Sequence, residues 1–93
     1  VSITVRTYDS SGTLLDTVGM PTGITTVERI VLATSGYFTI DFLSSESSSV
    51  IADVFLDNVF EDYFTLASGE TRLNNRVPTS GNYANKNIKI TLS

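Results

Sequence analysis

Apolar residues recur at every second position along most of this chain. Val1, Ile3 and Val5 alternate with Ser2, Thr4 and Arg6, and Ile88, Ile90 and Leu92 alternate with Asn87, Lys89 and Thr91. A period of two puts apolar side chains on one face of an extended strand and polar ones on the other. The signal returns in Thr13 to Val18, in the β-branched run Ile24 to Leu32, and in Phe38, Ile40 and Phe42. Turn chemistry separates these runs. Asp9-Ser10-Ser11-Gly12, Pro21-Thr22-Gly23 and Ala33-Thr34-Ser35-Gly36 supply side chains that bond their own backbone and glycines that accept positive φ. The six residues Ser44 to Ser49 form a polar surface loop.

Val50 to Leu66 needs arbitration. As a helix capped by Ser49 it would carry apolar side chains around its whole circumference and keep no polar face. As two strands joined at Asp57-Asn58 it places Val50, Ala52, Val54 and Leu56 on one face. Ile51, Phe55, Phe60 and Phe64 fall on the other. Both faces are then partly apolar, which suits a central hairpin or one covered by a partner. Phe64 to Thr71 reads as strand, glycine turn and return strand. Thr71 to Val77 is poorly apolar and suits an edge, and Pro78 to Lys86 is a polar loop. The sum is about eight short strands with turns every 8–12 residues, the pattern of a sandwich or barrel. The expected fold is all-β: a single antiparallel β-sandwich or jelly-roll domain spanning residues 1–93.

Composition narrows the function. The chain has no histidine, cysteine or tryptophan. Ser-His-Asp and Cys-His sites are therefore excluded, and zinc, copper and haem lose their usual ligands. Lys86 and Lys89 lie in a loop and on a terminal strand, a poor setting for a Ser-Lys pair, so no enzyme is expected. The net charge of −4 and pI near 4.4 disfavour nucleic acid and anionic membrane surfaces, and no apolar run is long enough to insert into a membrane.

Two chemistries remain. Asp53, Asp57, Glu61 and Asp62 cluster around the Asp57-Asn58 turn, and a two-residue hairpin sets Asp53 opposite Asp62. Facing carboxylates repel unless the register differs, water solvates them, or a cation such as Ca²⁺ sits between them. A solvated acidic loop is the plainer account of these residues. Asn82, Tyr83 and Asn85 form the best local candidate for a glycan contact, although Asn near Gly more often makes turns.

The edges carry the remaining argument. Monomeric β-proteins protect edge strands with Lys, Pro or bulges. Both prolines fall in expected loops, and Val1 to Tyr8 is regular, terminal and charged only at Arg6. Such a strand can add to a neighbouring sheet through its main chain while alternate side chains fill pockets. Val1, Ile3 and Val5 are the expected anchors, with Phe55 and Phe60 as a second contact.

The hairpin Phe64-Thr65-Leu66-Ala67-Ser68-Gly69-Glu70-Thr71 and the closing Ile88-Lys89-Ile90-Thr91 strand cover about a third of the chain. They resemble the C-terminal half of small jelly-roll subunits of bacterial spore and surface appendages. Similar hairpins occur in viral decoration proteins and Ig-like modules. The resemblance implies a self-assembling structural subunit of a filament, coat or virion surface, located outside the cell, at its surface or on a virion. Copies of the chain itself are the expected partners. The alternative is a small glycan- or surface-binding accessory module.

Overall fold

The computed structural model describes residues 3–20, 26–31, 35–82 and 86–93. The strands in order are β1 (Ile3–Tyr8), β2 (Leu14–Met20), β3 (Thr26–Val31), β4 (Ser35–Ser44), β5 (Val50–Leu56), β6 (Val59–Leu66), β7 (Thr71–Asn82) and β8 (Lys86–Leu92). Among the described residues there is no helix. The strands form two four-stranded sheets, in the orders β2-β1-β4-β7 and β3-β8-β5-β6. Every neighbouring pair is antiparallel.

Alternation along each strand builds one core between the sheets, a sandwich-like arrangement. The first sheet turns Ile3, Val5, Met20, Phe38, Ile40, Phe42 and Val77 inward. The second contributes Ala52, Val54, Leu56, Phe64, Leu66, Ile88 and Ile90. The rings of Phe42 and Phe64 meet across the sheets, with centroids 5.6 Å apart. Arg72 lays its guanidinium over the Phe64 ring at 5.4 Å and closes the side where β7 runs alongside β6.

The position of β1 overturns one expectation. It is not an edge: β2 bonds one side and β4 the other, and Ile3 and Val5 are buried in the protein's own core. Alternation reveals the buried face of a strand but not its lateral neighbours, and the second neighbour here lies some 35 residues away. Val1 lies outside the described residues. The return strand β7 is an edge, as expected, but runs on to Asn82. Pro78 therefore stands in a strand, opposite Tyr37, rather than in a loop. An edge strand tolerates proline because one side of its main chain needs no ladder bond.

Local hydrogen bonds fix the connections. Asp9 Oδ1 accepts bonds from the Ser11 and Thr13 amides (3.0 and 2.8 Å) and from Ser11 Oγ (3.0 Å). The Thr13 amide above all holds the Asp9 carboxyl below the usual carboxylate range, against the opposing effect of burial. Glu46 O accepts from Gly69 N and Ser68 Oγ, so the serine-rich loop is pinned to the β6–β7 turn. Asn75 is a buried polar residue on β7. Its Nδ2 donates to the carbonyls of Ile40 and Arg72, both at 2.9 Å, and its Oδ1 accepts from Arg72 Nε at 2.7 Å. Among the described residues, no buried side-chain nitrogen or oxygen lacks a partner.

Candidate interaction surface

The β5–β6 hairpin turns on Asp57 and Asn58, whose φ angles are 47° and 66°. Two successive positive φ values define a type I′ turn, whose twist matches that of the flanking strands. Asn and Asp tolerate this region better than other side chains. The tip is tied down to β8. Asn87 N donates to Asp57 Oδ1 (2.9 Å), Asp57 N donates to Asn87 O (3.1 Å), and Lys89 Nζ donates to Asn58 Oδ1 (2.9 Å).

Beyond the turn the register shifts. Leu56 faces Val59 and Phe55 faces Phe60, but Val54 then faces Asp62 and Asp53 faces Tyr63. Glu61 is the extra residue of a β-bulge. The bulge overturns two expectations. Asp53 no longer opposes Asp62: it looks out from the second sheet, while Asp62 pairs with inward-facing Val54. Phe64 moves to the inner face and is 7% exposed, whereas an unbroken alternation from Phe60 would have left it outside.

Of the four carboxylates of the candidate calcium site, the register puts Asp53 and Asp62 on opposite faces. Asp57 accepts the Asn87 amide, and Asp62 accepts the amide of Tyr63 at 2.8 Å. Among the described residues, no three carboxylates gather where they could hold a metal ion. Of the candidate glycan residues, Tyr83 and Asn85 lie outside the described residues and Asn82 ends β7.

The structure does bring Phe55 and Phe60 together. Their rings meet edge to face, with centroids 5.8 Å apart, and Lys89 Nζ lies 4.8 Å above the Phe55 ring. Ile51, Tyr63 and Phe60 share this outer face, whereas Val59, opposite inward-facing Leu56, is exposed at the open end of the hairpin on the other face. All four are large and exposed: Ile51 41%, Phe60 53%, Tyr63 58% and Val59 61%. Val59, Phe60 and Tyr63 lie on β6, an edge strand with no strand neighbour on its far side among the described residues, and Ile51 lies on the adjoining β5. The sequence places Ile51 on the face of Phe55 and Phe60 but does not single out Ile51, Val59 or Tyr63 as contact residues. Ile51 follows from the alternation of β5 once its inner face is known, but Val59 follows only from its place at the open end of the hairpin.

The outer face of the first sheet is different in kind. Arg6 stands opposite Asp41, and Arg76 opposite Thr39. The Arg76 guanidinium stacks 3.8 Å from the centre of the Tyr37 ring. Asp41 is buried and accepts the Asn74 amide at 2.8 Å. Burial, then a hydrogen bond to Asp41, raises the Tyr8 hydroxyl above its ordinary pKa.

No family model, curated protein or solved structure matches this chain.

Proposed function

We propose that this domain is a structural subunit that assembles with copies of itself in a filament, coat or virion surface outside the cell. Contact runs through the outer face of the β5–β6 hairpin rather than through β1. The observation that carries this reading is the group Ile51, Phe60 and Tyr63, three large exposed side chains on the outer face of an edge strand and its neighbour. Scattered exposed apolar residues are ordinary, but a contiguous patch marks a contact site. The opposite edge on that side of the molecule is guarded. β7 carries Pro78 and two register irregularities, both devices that blunt edge pairing.

The strand order supports reading the sandwich as a jelly roll with the chain opened at a different connection. If β2 is counted first and β1 is carried to the end after β8, the sheet orders become 1-8-3-6 and 2-7-4-5. That order supports a double-sheet jelly roll. The geometry at the opening supports this. Ile3 lies beside Ser44 and Leu92 beside Ala52, so the start of β1 and the end of β8 flank the same β4–β5 connection.

The test is mass by light scattering over a concentration series, with negative-stain imaging of the same sample. Regular polymers or rings support the reading. A monomer at every concentration overturns it.

A further inference from the structure

We infer that Asp16, Asp62 and Arg72 are caps that close the edge strands β2 and β6 to strand addition, so that a second copy meets this domain through a sheet face and not by extending a sheet. The choice of contact rests on the self-assembly reading; the caps themselves act within a single domain.

Main-chain direction shows what the caps cover. In an antiparallel ladder successive residues turn their N–H and C=O to alternate sides. Ile51 exchanges both bonds with Ser93, each at 3.0 Å, so the main chains of Ile51 and Asp53 face away from β6. Their partners on β6, Thr65 and Tyr63, therefore turn theirs to the open side. Both are engaged there. The Tyr63 amide donates to Asp62 Oδ1 at 2.8 Å, and the Thr65 carbonyl accepts from Arg72 Nη1 at 3.4 Å. Arg72 is held in place by its Nε–H bond to Asn75 Oδ1 at 2.7 Å and by the Phe64 ring beneath it.

β2, an edge of the other sheet, repeats the device. Ser44 N donates to Glu70 O at the foot of β7, so Phe42 and Ile40 also face β7 and Asp41 faces β1. Counted across the ladder, Arg6 faces β4, Thr7 faces β2 and Thr17 faces the open side. The Thr17 amide donates to Asp16 Oδ1 at 2.8 Å. On both edges an aspartate covers the amide that follows it. Free N–H and C=O groups are what makes an edge strand a template for another chain. A covered group must break its cap before it can pair, and the local side-chain bond competes with the ladder.

Two substitutions separate the cap from its charge. Asp62→Asn keeps the acceptor oxygen, whereas Asp62→Ala removes it. In dilute protein the Tyr63 amide should exchange about tenfold faster, relative to its intrinsic rate, in Asp62→Ala, the worth of one hydrogen bond to a charged group. In Asp62→Asn it should change little. With Phe60→Ser as background, so that the hairpin face is out of play, light scattering should show Asp62→Ala pairing at a concentration where Asp62→Asn is monomeric. Equal exchange in all three proteins overturns the cap. Association of both variants, or of neither, overturns its role at the edge. If Asp62→Ala loses its strand signal by circular dichroism, Asp16→Ala is read in the same way at Thr17. A Phe60→Ser protein that still assembles counts against the hairpin contact, and the exchange rates then decide the caps by themselves.

Discussion

Replacing Phe60 with serine should separate assembly from folding. Phe60 is 53% exposed in the free domain. A phenylalanine presents about 200 Å² in all, so about 100 Å² remains to be covered by a neighbour. At about 25 cal/mol per Å² that burial is worth about 2.5 kcal/mol per contact. Serine recovers almost none of it, so the concentration needed for assembly should rise about 60-fold at 1.4 kcal/mol per decade. The folded monomer loses the edge-to-face contact with Phe55, about 1 kcal/mol, a small part of the stability of a domain this size. Sedimentation or light scattering against concentration reads the first effect, and urea unfolding of dilute protein reads the second. Phe60→Leu restores most of the apolar area and should recover most of the assembly. Serine and wild-type proteins that assemble at the same concentration would refute the argument. So would a serine variant that fails to fold, since Phe60 would then belong to the core.

Three further outcomes follow from the packing. Ile3→Ala should destabilise the monomer by about 2–5 kcal/mol, read as a lower urea midpoint; an unchanged midpoint would mean that β1 is not a core strand. Asp9 has a lowered folded-state pKa, so its stabilisation is complete above its unfolded value near 4 and is lost as pH falls through the lower folded value. Asp9→Asn keeps the acceptor oxygen without the charge and should flatten the fall in urea midpoint over that acid range, and identical slopes would remove Asp9 from the account. Deleting Glu61 should leave a folded protein with the pairs Phe55–Phe60 and Val54–Asp62 unchanged, whereas deleting Thr65 should move Leu66 to the wrong face and unfold it. Amide-exchange patterns of the two deletion proteins distinguish these results, and loss of protection in the Glu61 deletion would refute the bulge.

Strands were legible where one face is apolar and the other is not. The alternation in β1, β4, β5 and β8 led directly to inward-facing residues such as Ile3, Phe38, Val54 and Ile90. The Asp57-Asn58 turn was legible because two short polar residues stood between apolar runs. What failed to show was sideways order. Nothing in Val1 to Tyr8 indicates that β4 covers its second side, because main-chain bonds carry no sequence mark. The bulge at Glu61 was equally silent: one extra residue reverses the parity of everything after it without changing composition. That single residue turned Phe64 inward and separated Asp53 from Asp62. Asn75 was hidden for a related reason. A buried asparagine is costly unless its amide is satisfied, and its partners Ile40 and Arg72 are identified only by the fold.

The central place of β8 in the second sheet has a consequence for how the molecule is made. During synthesis β3 and β5 emerge long before the strand that must lie between them. Until β8 arrives, both have an open flank, and such unpaired flanks are where nascent chains stick to one another. The first sheet meets the same delay to a lesser degree, since β1 and β4 can pair early while β7 comes later. Closure of the domain is therefore a late, long-range event of the kind that slows β-proteins. In a crowded polysome, a neighbour's β8 could fill the gap first. Exchange of this strand between chains is the misassembly to which this topology is most exposed.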